Sequence, residues 1–528
     1  MKAPPIPGWS RLLLCGALAL VSAVPQAEAA RRRNTPPPAE EPEKLDVEAM
    51  LAERAVVFGA VDEAFDAGRK KEAADLLVEV VENPEHEAYH AEAFFRLAGL
   101  MESFDLPYSA LAAYERALAT DAPMVKEAAH KAIQLADKVG DTALLEDVFS
   151  KNLGLEVGPK VRSRMAYLAA RESFARGIFP LALATLRMVD ASDPYFPEAK
   201  ALEGVTLAQM GRHQEALVPL QVALGAGKGA KRGQRFSDMI NLNLARAYYG
   251  ANNFPRAIEY FGYVQRDSLS WPEAQFERAW SFFRLEDTNG ALSQLQTHIS
   301  PFLTEQYFPE AALLRIYSLF LMCKFPEASK QIEQFRGHYA EKVPVLDAVA
   351  ARTPVDLFDA MASRIEKEET DLPEMIWARY LEEDRFNDSL TAIRSAEDEA
   401  RRLENVAANP FTDWAKAAVS ARREALIQTE GERVRKRAER MSAELREMLQ
   451  AAELSALDML DFETRLYSQA AARGDMLDAR EVVQRKDRVR ANQRAWPWEG
   501  EYWADEVGYY RIESTPDCPS SMRQGIKK

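Results

Sequence analysis

One five-residue phrase recurs along this chain and limits what it can fold into. YFPEA occupies residues 195–199 and again 307–311, with SWPEA at 270–274 and YHAEA at 89–93. A proline followed by a glutamate suits the first turn of an α-helix. The proline lacks an N–H that would be unpaired there anyway, and the carboxylate faces the positive end of the helix dipole. The run that follows Trp271, PEAQFERAWSFFRLEDTNGALSQL, places apolar residues at helical spacing, breaks at polar Asp287-Thr288-Asn289-Gly290, and resumes as a second amphipathic helix.

Small residues early in successive second helices set a register: Ala182, Ala216, Ala257, Ala291 and Ala328, spaced 34, 41, 34 and 37 residues apart. The longer steps coincide with GAGKGAKRG at 225–233, read as a flexible loop between repeats, and with a stretch around Pro301. A helical pair repeated in this way cannot bury its apolar face alone, and stacking on its neighbours buries it.

This pattern resembles the tetratricopeptide repeat (TPR) family. The matching residues are Leu244, Ala245, Tyr248, Ala257 and Phe261; Leu97, Ala98, Ala110, Tyr114 and Ala117; Gly204, Ala216, Leu220 and Ala223; and Ala279, Phe282, Ala291 and Leu295. Residues 54–85 match more weakly, through Ala64, Ala73 and Leu77, and residues 125–160 read as a degenerate pair. Arg278 and Arg315 stand where the family has apolar residues. The expected fold is all-α: a TPR superhelical solenoid over residues 48–350, a long antiparallel helical hairpin or coiled coil over 351–480, and an aromatic-rich C-terminal tail over 481–528.

Residues 1–29 read as a signal peptide, followed by a Pro/Glu-rich linker at 30–47. Lys2 and Arg11 supply the positive region, residues 12–24 an apolar run too short to span a bilayer, and Ala27-Glu28-Ala29 the small residues a signal peptidase needs. Cys15 follows three leucines, without the small residue that precedes a lipidated cysteine. No later stretch reaches the roughly 18 apolar residues of a membrane helix. The expected location is the periplasm, with peripheral outer-membrane association left open. Residues 1–30 hold two basic residues and one acidic residue, so removing them takes the formal charge from −15 to −16. That acidity argues against nucleic acid as a partner. Cys323 and Cys518 would remain, free to pair in an oxidising compartment, and their separation of 195 residues says nothing of proximity.

Beyond the array, one helix is expected over 372–403, with Phe386, Leu390, Ile393, Ala396 and Ala400 on its apolar face. Asn409-Pro410 interrupts, Thr412 or Asp413 is placed to cap, and a second helix runs toward Ser468 with Gly431 as a candidate kink. Val434, Ala438, Met441, Leu445, Met448, Ala452, Met459, Phe462 and Leu466 follow a coiled-coil seam. The basic run RVRKRAER at 433–440 reads as the solvated face of a charged helix rather than a polyanion site. In the tail, Trp496, Trp498, Tyr502, Trp503, Tyr509 and Tyr510 fall within fifteen residues, a density that calls for docking on the chain's own helices or on a partner.

The sharpest enzymatic signal is HEAYH at 86–90, a match to the zinc-protease motif, with Glu87 as general base and Glu115 as a possible third ligand. Against it, His90 occupies the slot of Phe196, Trp271 and Phe308 in the repeated phrase, Pro84 puts His86 at or before the helix start, and no substrate-aligning strand is evident. GAGKGAKRG lacks the Ser/Thr after its lysine and follows a helix, so it is no phosphate loop. No catalytic residue, cofactor or metal is expected.

The resemblance implies that first helices line a concave groove, which points to Arg246 and Tyr249, then Phe276, Trp280 and Phe283, then Tyr317 and Phe320 as contacts for a protein partner, with Trp496, Trp498 and Trp503 as tail contacts. The alanine-rich acidic repeats also resemble exported repeat proteins of bacterial envelope machineries, including those of myxobacterial gliding motility. The function expected from this is a non-enzymatic scaffold, with a periplasmic assembly chaperone for outer-membrane proteins as the alternative. N-terminal sequencing of protein from the envelope fraction is expected to begin near Ala30. An unprocessed Met1 there would remove the export reading.

Overall fold

The computed structural model describes residues 47–118, 124–154, 157–230, 232–303, 306–365, 369–381, 383–473 and 502–517. The signal segment with Cys15, residues 30–46, Trp496, Trp498 and Cys518 lie outside the described residues. Every regular element among those described is a helix. Seven helix–turn–helix pairs stand in this order, with α9 and α10 single between the fourth and fifth: α1 (Val47–Asp66) with α2 (Lys70–Glu82), α3 (His90–Ser103) with α4 (Pro107–Ala117), α5 (Val125–Val139) with α6 (Ala143–Lys151), α7 (Pro159–Ala175) with α8 (Phe179–Leu186), then α9 (Phe196–Gln209) and α10 (His213–Gly229), then α11 (Gln234–Gly250) with α12 (Phe254–Phe261), α13 (Trp271–Arg284) with α14 (Thr288–Leu295), and α15 (Pro309–Leu321) with α16 (Phe325–Tyr339). Then come α17 (Lys342–Ala350), α18 (Pro354–Ile365), α19 (Glu374–Tyr380), α20 (Asp384–Glu404) and α21 (Pro410–Arg473).

The repeated pentapeptide starts first helices, as its chemistry requires. α9 begins at Phe196 and α13 at Trp271, each with proline in the first turn, while α15 begins at Pro309 and α3 at His90. The turns between paired helices, and the one after α9, share one backbone device. Gly68, Asp105, Gly140, Gly177, Gly211, Asn252, Glu286 and Cys323 are all left-handed, with φ between 56° and 82°. The next residue's N–H reaches back five residues to a carbonyl of the first helix. Arg69 to Ala64, Leu106 to Met101, Asn253 to Tyr248, Asp287 to Phe282 and Lys324 to Leu319 all do so at 2.8 to 3.0 Å. This closure satisfies carbonyls a helix end otherwise leaves unpaired and reverses the chain in a fixed geometry. Five residues past the left-handed position stand Ala73, Ala110, Ala182, Ala216, Ala257, Ala291 and Ala328, all with 0% exposure. A larger side chain there would hold the paired helices apart.

The chain divides into two compact units. Among the described residues the first comprises those up to Met210 and from Glu383 to Glu430, the second those from Gly211 to Leu381 and from Gly431 onward. In the first unit α20 buries Ala396 and Leu403, and the start of α21 buries Phe411, Trp414, Ala415 and Val419, in one core with α1 to α9. Distant carboxylates cap helix starts here. Glu399 of α20 accepts the Tyr108 and Ser109 N–H groups of α4 at 2.7 and 2.8 Å, and the Ser109 hydroxyl at 2.5 Å. Asp75 of α2 accepts the Phe411 N–H of α21 at 2.9 Å. Asp141 is buried, takes two bonds of 2.8 Å from the Arg422 guanidinium and accepts the Tyr108 hydroxyl at 2.5 Å.

Several sequence expectations take a different form. GAGKGAKRG is mostly helix: α10 runs through Gly229, and both α10 and α11 reach 17 residues where α12 and α14 have 8. The seven extra residues of this repeat, about two helical turns, lengthen helices rather than a loop. A Cβ on Gly227 would fall 2.5 Å from the Phe236 ring, so this glycine serves close approach of α10 to α11. The single helix expected over 372–403 is split, because Glu383 turns extended (φ −68°, ψ 125°) between α19 and α20. The cap of α21 is Asn409, whose Oδ1 accepts the Thr412 N–H at 2.8 Å while Thr412 Oγ1 accepts the Asn409 N–H at 3.0 Å. This reciprocal box leaves Pro410 at the one position that needs no donor.

Within the first unit α20 and α21 lie side by side, through Arg423 on Glu397 at 2.8 Å and Ser389 on Glu430 at 2.8 Å. In the second unit the seam residues Val434, Ala438, Leu445, Met448, Ala452 and Met459 are buried. There α21 meets helices of its own chain: Ser442 donates to Asp347 of α17 at 2.6 Å, and Phe462 packs on Phe320 and Phe325 of α15 and α16. The Leu466 side chain lies outside the described residues. Gly431 does not break α21, which is one helix of 64 residues. It lets the Pro354 carbonyl at the start of α18 sit where a Cβ would be. Gly431→Ala is expected to lower stability by about 1–3 kcal/mol through overpacking. Gly225→Ala, with nothing within 4 Å of the new methyl, is expected to raise it by up to about 1 kcal/mol. Urea unfolding of both variants measures the pair.

Candidate partner-binding surface

Counting back from the left-handed turn residue places the expected groove residues in two rows. Arg246, Trp280 and Tyr317 stand six residues before it, and Tyr249, Phe283 and Phe320 three before it, on α11, α13 and α15. The structure gives these positions three environments. Phe276 and Trp280 are buried with Leu295, Phe308 and Leu314, and half-buried Tyr249 and Phe283 pack against this cluster. Trp280 meets Phe283 edge-on at 5.6 Å, and Tyr249 meets Phe254 at 5.3 Å.

Arg246 is a structural cation. Its guanidinium bonds Glu277 at 2.5 to 3.0 Å and Glu273 at 2.9 Å. Burial by itself would push its pKa down, but the two carboxylates outweigh that and hold it above the ordinary arginine value. Tyr317 and Phe320 lie beneath α21. The Tyr317 hydroxyl pairs with Ser455, and Phe320 meets Phe462 at 6.1 Å. The chain's own long helix therefore occupies that end of the row, which no local sequence signal announces.

Residues outside the expected set stand free. Leu454, Leu457 and Leu460 are 55%, 63% and 62% exposed on the side of α21 away from its buried seam, with exposed Glu453, Asp458 and Asp461 beside them. Their signal was in the sequence: leucines at steps of three, offset from the seam of Met448, Ala452 and Met459. The basic run of α21 is internally matched, since Arg435 bonds Glu432 and Glu439, and Arg433 and Arg437 lie over the Tyr380 ring at 5.2 and 6.0 Å.

The described part of the tail lies on the second unit. Gln296 donates to the Tyr502 hydroxyl at 2.8 Å, Arg266 bonds the Ala504 and Asp505 carbonyls, and Val507 enters the core of Leu242, Ala257, Phe261, Trp271 and Leu303. Gly508 has φ 94° and lies flat on the Trp271 indole, a position closed to any side chain. The chain then returns along α14: the Ile512 N–H reaches Ser293 Oγ at 2.8 Å and the Ser514 N–H reaches Asn289 Oδ1 at 3.1 Å. Trp503 remains 59% exposed. Arg278 and Arg315, the departures from the repeat pattern, take one register position eight residues before the turn. Burial pushes both guanidinium pKa values down, and Tyr502 opposes it at Arg315, which also donates to Gln296 at 3.2 Å.

HEAYH does not form a metal site. His86 sits in a 3-10 turn, Pro84–Tyr89, with non-helical φ −97° and ψ 17°, while His90 opens α3 and its Nε2 hydrogen-bonds the Asn83 carbonyl at 2.9 Å. The two imidazoles therefore lack the shared helical face that i,i+4 ligation needs. Among the described residues no group of three His, Cys, Asp or Glu side chains is placed to hold a metal ion.

No protein-family model matches this chain, and no curated protein does. Among solved structures it is similar to the APC/C hetero-tetramer Cut9–Hcn1, at 10% identity, covering 82% of this chain and 97% of that one, with a TM-score of 0.17. A likeness at that score carries no weight for fold or function. No described helix is long and apolar enough to cross a membrane.

Arg246→Met is expected to cost about 3 kcal/mol, because it leaves buried Glu277 without its cation. Adding Glu277→Gln is expected to recover at least about 1 kcal/mol of that loss. Additive losses in urea unfolding would show that the pair is not coupled.

Proposed function

We propose that this chain is a non-enzymatic scaffold of the bacterial cell envelope, exported to the periplasm, which holds a protein partner through its repeat array and long helix. The observation that carries this reading is the outward leucine row Leu454, Leu457 and Leu460. Large apolar side chains exposed together on a regular helix mark interaction sites. α21 uses its other face to bind its own array, so the row is left over for something else. Half-buried Tyr249 and Phe283 offer a second aromatic contact. The resemblance to TPR proteins supports the same reading, since that family binds partners by shape. The resemblance to envelope and gliding-motility repeat proteins supports the location. Two contacts on one chain would favour a stable assembly through avidity.

The test places photo-crosslinking residues at Leu457 and Phe283 in living cells. A few partners captured at fixed ratio are expected, and Leu457→Asp is expected to weaken partner binding by at least about 30-fold without changing the unfolding midpoint. Capture of many exported proteins, each substoichiometric, would instead establish an assembly chaperone. No capture at either position would overturn the scaffold.

A further inference from the structure

We infer that Cys323 pairs with Cys518, and that this disulfide is a dithiol-cleavable lock on the C-terminal tail. Cys323 is disulfide-bonded. The chain holds two other cysteines, Cys15 within the expected signal segment and Cys518. The Asp517 N–H donates to the Met322 carbonyl at 2.9 Å, and the Asp517 carboxylate meets Lys324 at 3.4 Å. Residue 517 is thus hydrogen-bonded to residue 322, and each is followed in the chain by a cysteine. The bond between the two preceding residues, together with the count of three cysteines, carries the pairing.

The tail is also held by Arg266 on the Ala504 and Asp505 carbonyls, Tyr502 on Gln296, Ile512 on Ser293, Ser514 on Asn289, and Val507 inserted beside Trp271. Such a segment peels most readily from an end that is not fastened. A covalent bond at that end removes the route, because release then needs Val507 and both hydrogen-bonded stretches to let go together. The lock opens by exchange with a dithiol. Two electrons and two protons pass to the Cys323 and Cys518 sulfurs, which become thiols, while the dithiol closes its own disulfide. Release uncovers the apolar surface around Trp271 and Leu303. This inference does not depend on the proposed partner or location.

The experiment takes full-length protein from cells with free thiols blocked at lysis. A non-reducing tryptic digest is expected to yield residues 316–324 linked to residues 512–523. Finding both cysteines alkylated, or Cys323 linked to Cys15, would overturn the pairing. Hydrogen exchange of Cys518→Ser then tests the lock: amides of residues 507–517 are expected to exchange on the order of tenfold faster or more, with α3 and α7 unchanged. Equal exchange in the variant would show that the disulfide locks nothing.

Discussion

One left-handed residue between paired helices sets the geometry of everything else in this chain. At that residue the first helix closes its last carbonyls and the chain turns back at a fixed angle. Because the turn is the same at Gly68, Asp105, Gly177, Asn252 and Cys323, residues counted from it fall at equivalent places in every pair. Five residues on, an alanine lets the second helix approach. Three and six residues before, the first helix presents a side chain on one face. The apolar cores and aromatic rows follow from this register, while the identity of each residue decides whether its position packs, pairs or stays exposed.

The parts legible in the sequence were the parts fixed locally. YFPEA marks helix starts through bonds made within one turn, and the alanine register shows because each alanine answers to a turn five residues away. HEAYH is legible for the same reason, since alignment with the repeated phrase puts His90 at a helix start. Glycine misled because it has two uses. Gly225, Gly227 and Gly229 look like a loop yet lie in α10, and Gly431 looks like a kink yet admits the Pro354 carbonyl from 77 residues away. The covering of Tyr317 and Phe320 by α21, and the seating of Val507 beside Trp271, depend on contacts at still greater separation. A seam of methionines and alanines tells that α21 is buried on one side; it does not say against what.

Buried carboxylates give the first unit a specificity that apolar packing lacks. Glu399 and Asp75 cap helices that begin hundreds of residues from them, and Asp141 gathers Tyr108 and Arg422 into one polar knot. A helix sliding by one turn would leave these groups buried and unpaired, a cost of several kcal/mol per charge in rough terms. Alanine-rich helices have smooth surfaces and many nearly equivalent packings, so such fixed points select one register for α20 and α21 against the array.

The turn position has a further property. It needs a backbone shape and little else, so a residue other than glycine can stand there for a modest conformational cost. In the later repeats it is held by Asn252, Glu286 and Cys323, one per pair. Asn252 and Glu286 are exposed there, whereas Cys323 is buried. The same turn can thereby carry different side-chain chemistry in each pair while its backbone shape stays fixed. At the last of these turns this chain has placed a sulfur atom, turning a joint of the scaffold into a fastening.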